Sequence, residues 1–122
     1  MERKADVLSD RLLNFSVAVL KLLQRIDKNQ MHHHLVMQLF RSATSIGANY
    51  EEARGAESRQ DFVHKLQIAL KEARESNYWL RIIHKAELAK VEETRDILEE
   101  NRQLCDILAK SIKTLKDNNT KK

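Results

Sequence analysis

Proline is absent from the 122 residues, and glycine occurs only at Gly47 and Gly55. Proline breaks the helical hydrogen-bond ladder and glycine loosens the backbone, so this chain has almost nothing to interrupt a helix. Long helices follow. The spacing of apolar residues predicts a first helix over about 6–26, where Leu8, Leu12, Phe15, Val19, Leu22 and Ile26 recur at steps of three and four. Asp27-Lys28-Asn29 reads as a turn. A second helix is predicted over 31–54, with Leu35, Leu39, Ala43, Ile46, Tyr50 and Ala53 on one face and Gly55 ending it in a left-handed cap. Gly47 inside that helix costs about 1 kcal/mol relative to alanine, so its expected use is to let a neighbouring helix approach closely.

Ser58 is the expected cap of a third helix over 58–86, with Phe62, Leu66, Ala69, Ala73, Leu80 and Ile83 inward. The fourth, over 92–116, turns Ile97, Leu104, Leu108, Ile112 and Leu115 inward. Short links place consecutive helices side by side and antiparallel. The expectation is therefore an all-α, single up-down-up-down antiparallel four-helix bundle over 1–116, with 117–122 as a flexible polar tail. A chain of this length has room for one domain and can bury roughly two-thirds of its unfolded surface.

The charged start, Met1-Glu2-Arg3-Lys4-Ala5-Asp6, leads into no apolar run of signal type, and no stretch approaches the roughly 20 apolar residues that span a bilayer. A soluble, cytoplasmic protein with no membrane partner is expected. Cys105 is the single cysteine, so neither an internal disulfide nor a cysteine-based zinc site can form. Its helical spacing with Leu104, Leu108 and Ile112 marks it as a small core side chain. The 22 basic residues outnumber the 18 acidic by four, which permits an anionic partner without demanding one.

No catalytic residues are assigned, because catalysis needs reactive groups converging in a pocket and the inward positions are almost all apolar. No metal site is assigned either. A di-iron bundle needs two Glu-x-x-His pairs, and the nearest match is a lone Asp61-x-x-His64 whose side chains fall away from the Phe62 and Leu66 stripe. Three consecutive helical residues cannot reach one ion, so His32-His33-His34 is read as a solvated first turn. There is no phosphate loop and no dinucleotide glycine signature, and no cofactor is called for.

The outer surface of the third helix carries two stripes. On a helical wheel Lys71, Arg74, Tyr78, Arg81 and Lys85 fall opposite the core. Such a ridge can contact phosphates while its ring stacks on an unpaired base, although an ordinary solvated face would show the same residues. The second stripe is Ile68, Glu75, Trp79 and Ile82. A tryptophan between isoleucines on the outside of a helix points to a subunit contact, although the first or fourth helix could broaden to cover it. Asn49, at the edge of the second helix's core stripe, is expected to be a partly buried structural amide bonded to Glu72 or Glu75 of the third helix.

Ser45-Ile46-Gly47-Ala48-Asn49-Tyr50-Glu51-Glu52-Ala53, followed by Ser58, Asp61-Phe62, Leu66, Ala69, Glu72 and Glu75, resembles the bacterial four-helix-bundle family encoded by intervening sequences of 23S ribosomal RNA genes. The resemblance covers about residues 10 to 115, and it departs at Gly47, where many relatives have proline or serine. It implies an up-and-down bundle, a homo-oligomeric ring that is usually a pentamer, and association with structured RNA or DNA. Related bundles serve as accessory subunits of reverse transcriptases in diversity-generating retroelements, and members are often labelled ribosomal proteins after their gene location.

Two readings of function result. In the first, a non-enzymatic oligomer binds RNA or DNA through Lys71, Arg74, Arg81 and Lys85, extended by Lys21, Arg25 and Lys28. In the second, the bundle is a protein-interaction or accessory subunit, and these cations matter little.

Overall fold

The computed structural model describes residues 3–120, with side chains to residue 118. Four helices account for nearly all of them: α1 (Lys4–Gln24), α2 (Gln30–Arg54), α3 (Arg59–Lys85) and α4 (Val91–Thr120). Each packs on the next, and α1 closes on α4, which gives a four-cornered antiparallel bundle with no diagonal pair in contact. Helix α4 runs past residue 116 and takes in most of the stretch expected as a tail. Asp117-Asn118-Asn119 contains neither proline nor glycine to stop it. Lys121 and Lys122 of that expected tail lie outside the described residues.

The apolar stripes meet as predicted. Leu12, Phe15, Val19 and Leu22 of α1 join Leu39, Ala43 and Ile46 of α2, Leu66, Ala69, Ala73, Leu80 and Ile83 of α3, and Leu104 and Leu108 of α4 in one buried core. Asn29 caps α2 by accepting from the His32 amide, and Ser58 caps α3 by accepting from the Asp61 amide at 3.0 Å. Cys105 is half-buried against the core, and burial pushes its thiol above the ordinary range.

Two glycine expectations need correction. Gly55 ends α2 at φ −97°, not in the left-handed region. That conformation instead appears at Glu87, φ 56°, where the amides of Glu87 and Leu88 reach back to the carbonyls of His84 and Ile83 and close α3 in a Schellman turn. Leu88 then folds onto the core, which holds an acidic residue in a conformation that usually selects glycine. At Gly47 a Cβ would lie 3.5 Å from Leu12 Cβ, an ordinary contact, so α1 does not approach closely enough to require glycine.

Four polar side chains are buried: Ser42, Ser76, Thr94 and Asn101. Ser76 Oγ stands 2.9 Å from Ser42 Oγ between α3 and α2. Asn101 of α4 accepts from Asn77 at 2.9 Å and donates to the Ala73 carbonyl at 3.1 Å, both on α3. Thr94 sits 2.5 Å from His84 Nδ1. Each hydroxyl or amide has a partner, as a low-dielectric interior demands.

Candidate nucleic-acid interface

Lys71, Arg74, Tyr78, Arg81 and Lys85 are all exposed on the outward line of α3. From Lys71 to Lys85 the line runs roughly 21 Å at the helical rise of about 1.5 Å per residue. Among the described residues none of these four cations makes an ion pair. Arginines elsewhere are engaged: Arg11 with Glu100, Arg25 with Glu93, Arg41 with Glu72 and Glu75, Arg54 with Asp6, and Arg102 with Glu99 and Asp106. Hydrogen bonds from Arg102, then from Gln103, hold the Glu99 carboxyl on α4 down to about 2.

The aromatic on the ridge is not a bare platform. Arg81 lies over the Tyr78 ring, 5.7 Å from its centroid, and Trp79 meets the same ring edge-on at 5.2 Å. Half of Tyr78 remains exposed. The extension of the ridge through Lys21, Arg25 and Lys28 is weaker than expected. All three are exposed, but Arg25 is held by Glu93 of α4.

The second stripe lies elsewhere than the sequence suggests. Ile68, Glu75, Trp79 and Ile82 are half-buried in the groove between α3 and α2, and Trp79 packs against the core. Its indole N–H donates to Glu75 Oε2 at 3.1 Å, and Glu75 also accepts from Arg41 of α2. The Trp79 hydrogen bond, reinforced by Arg41, keeps the Glu75 carboxyl below the usual glutamate range. The groove thus covers part of the tryptophan within one chain and leaves the rest exposed.

Asn49 is partly buried, as expected, but not bonded to Glu72 or Glu75. Its amide donates to the Ser45 carbonyl one turn back at 2.8 Å, while the longer Arg41 takes both carboxylates. Sequence reasoning also missed two groups. Asn101 falls between Ile97 and Leu104, at helical spacing on the inward stripe of α4, and that gap of seven was its signal. Leu13, Val17, Leu20, Met37 and Phe40 are exposed at 62%, 41%, 40%, 49% and 37% on α1 and α2. Their signal was charge, since residues 12–20 carry none and residues 35–50 carry only Arg41.

A depression lies between the start of α3 and the end of α4, lined by Ser58, Arg59, Asp61, His64 and Lys116 among others. Among the described residues no three His, Cys, Asp or Glu side chains stand close enough to hold a metal ion, and no helix is long and apolar enough to cross a membrane.

Comparison with known proteins places this geometry. The chain is similar to a crystal structure of a protein of unknown function from the S23 ribosomal protein family of Bacteroides thetaiotaomicron VPI-5482, with a TM-score of 0.83 and 38% identity over 91% of this chain and 99% of the other. No curated protein matches the sequence. The model of the 23S rRNA-intervening sequence protein family matches residues 7–110, most of the bundle. This chain belongs to the 23S rRNA-intervening sequence protein family.

Proposed function

We propose that this chain is a non-enzymatic, cytoplasmic module that binds RNA or DNA through the outward face of α3 and works as a homo-oligomer, a pentameric ring by its resemblance to ring-forming relatives. The observation that carries this reading is the row of Lys71, Arg74, Arg81 and Lys85, exposed and without carboxylate partners while arginines on the other three helices are paired. Cations outside ion pairs remain available to phosphate.

A single ridge offers four aligned cations, so one subunit should bind weakly, at roughly 10⁻⁴ to 10⁻⁶ M in physiological salt. Copies in one assembly multiply the ridge and gain avidity without a new contact. The test is fluorescence anisotropy with labelled RNA and DNA at two salt concentrations. Changing Lys71, Arg74, Arg81 and Lys85 together to glutamine should abolish binding and flatten its salt dependence, with helicity unchanged. A quadruple variant that binds as tightly as the parent overturns the reading.

The second reading, a protein-interaction or accessory subunit, is favoured by the exposed apolar residues on α1 and α2. It requires that the quadruple glutamine variant still capture the same protein partner.

A further inference from the structure

We infer that the outer face shared by α1 and α2 is the surface on which a second copy of this chain packs. The inference rests on the homo-oligomer proposed above and gives it a location. Ser16 Oγ of α1 reaches the Ala43 carbonyl of α2 at 3.4 Å, and Leu12 faces Gly47. In this antiparallel pair, residues whose numbers sum to 59 therefore lie level (16 + 43 and 12 + 47). Leu20 then stands beside Leu39 and Phe40. Leu13 and Leu20 flank Ser16 within about 60° on the α1 wheel, and Phe40 shares the α1-facing side of α2 with Gly47, seven residues on. Leu13, Val17, Leu20, Met37 and Phe40 thus form one patch across the groove, not five separate exposures.

The absence of charge is what selects the occupant. One-third of the chain is charged, yet residues 12–20 have no charged side chain at any point around the helix. Arg41, the single exception over 35–50, turns away to Glu72 and Glu75 of α3. A helical segment without charge on any side is the pattern of a helix covered all round. The α2–α3 and α1–α4 grooves are bridged by ion pairs, whereas the middle of the α1–α2 groove has none among the described residues.

The middle of such a face offers no cation to a phosphate and no carboxylate to a basic partner, and exposed Asp10 and Lys21 stand only at its ends. Copies of net charge +4 repel one another, and here two of them meet without opposing like charges. An interface of this kind resists salt, while nucleic-acid binding by the ridge weakens with it.

Light scattering of the full chain at about 50 µM, across a salt series from about 0.1 to 0.5 M, tests the inference. The parent should show a multiple of the 14.3 kDa chain mass that salt does not reduce. Leu20→Glu with Phe40→Glu should bring the mass down to that of one chain. Circular dichroism should remain that of the parent, and weak single-subunit RNA binding should persist. Should that pair of charges unfold the chain, Leu13→Ser with Leu20→Ser, expected to show the same loss of mass, decides instead. A parent at single-chain mass overturns the inference and leaves the face to a partner of different sequence, as does a folded variant that assembles like the parent. Neither result touches the ridge, whose own test is the glutamine variant.

Discussion

Helix α2 has a groove on each side, and the two are finished differently. Toward α3, Ser42 and Ser76 bring the backbones together, Arg41 spans to Glu72 and Glu75, and Trp79 folds over the top with its N–H on Glu75. Toward α1, small and apolar residues meet at ordinary contact distance, and Leu13, Val17, Leu20, Met37 and Phe40 are left facing water. The first groove satisfies itself. The second is complete as a fold but leaves apolar side chains facing water.

The sharpest way to break the contrast is to overfill the sealed groove. Ser76 is wholly buried, so Ser76→Leu should force α2 and α3 apart and lower unfolding free energy by about 2–3 kcal/mol in a denaturant titration. The same volume added on the other side, at exposed Leu13 as Leu13→Phe, should change it by less than about 0.5 kcal/mol.

Trp79→Ala separates the roles of the two grooves. Half-buried, this side chain should cost about 2 kcal/mol of chain stability, below the range of roughly 3–5 for a fully buried aromatic. Subunit mass by light scattering should match the parent's. A mass that collapses while stability holds would return Trp79 to a subunit interface.

On the α1 side, Gly47→Ala should raise stability by about 0.5–1 kcal/mol, because its methyl fits at 3.5 Å from Leu12 Cβ and the helix loses a flexible position. A loss would mean that the groove is tighter than its spacing indicates.

The smallest effect concerns pH. The Glu75 carboxyl is depressed in the folded chain, mainly by the Trp79 N–H and then by Arg41. Its contribution is therefore fully present above the ordinary glutamate value and is lost as pH falls through the depressed one. Trp79→Phe removes the leading cause, so the gap in denaturation midpoint between parent and variant should narrow as pH falls below the ordinary glutamate range.

The helices and the core were legible because burial on one face of a helix writes itself into the chain at steps of three and four. Leu12, Leu39, Leu66 and Leu104 fell where that period put them. The ridge was legible for the same reason, since a helical wheel orders outward residues as well as inward ones. Trp79 was not. Its angle put it outside, and only the reach of Arg41 across to Glu75 shows that the groove beneath it closes. Glu87 escaped as well, because a left-handed residue enforced by Leu88 docking has no compositional mark of its own. The α1–α2 face required attention to the charges that are missing, and periodicity does not count these.

The amide of Asn101, held between Asn77 and the Ala73 carbonyl, makes the bundle countable. Leucines are interchangeable from turn to turn, and an apolar stripe slid by seven residues still presents an apolar stripe. An amide moved by seven residues loses its carbonyl and its neighbouring amide together. Seven residues inserted between Val91 and Asn101 would keep the helix amphipathic and still be rejected, while the same insertion after Leu115 would be accepted. Length in a chain built on this plan is free to vary at the far end of α4 and not ahead of position 101.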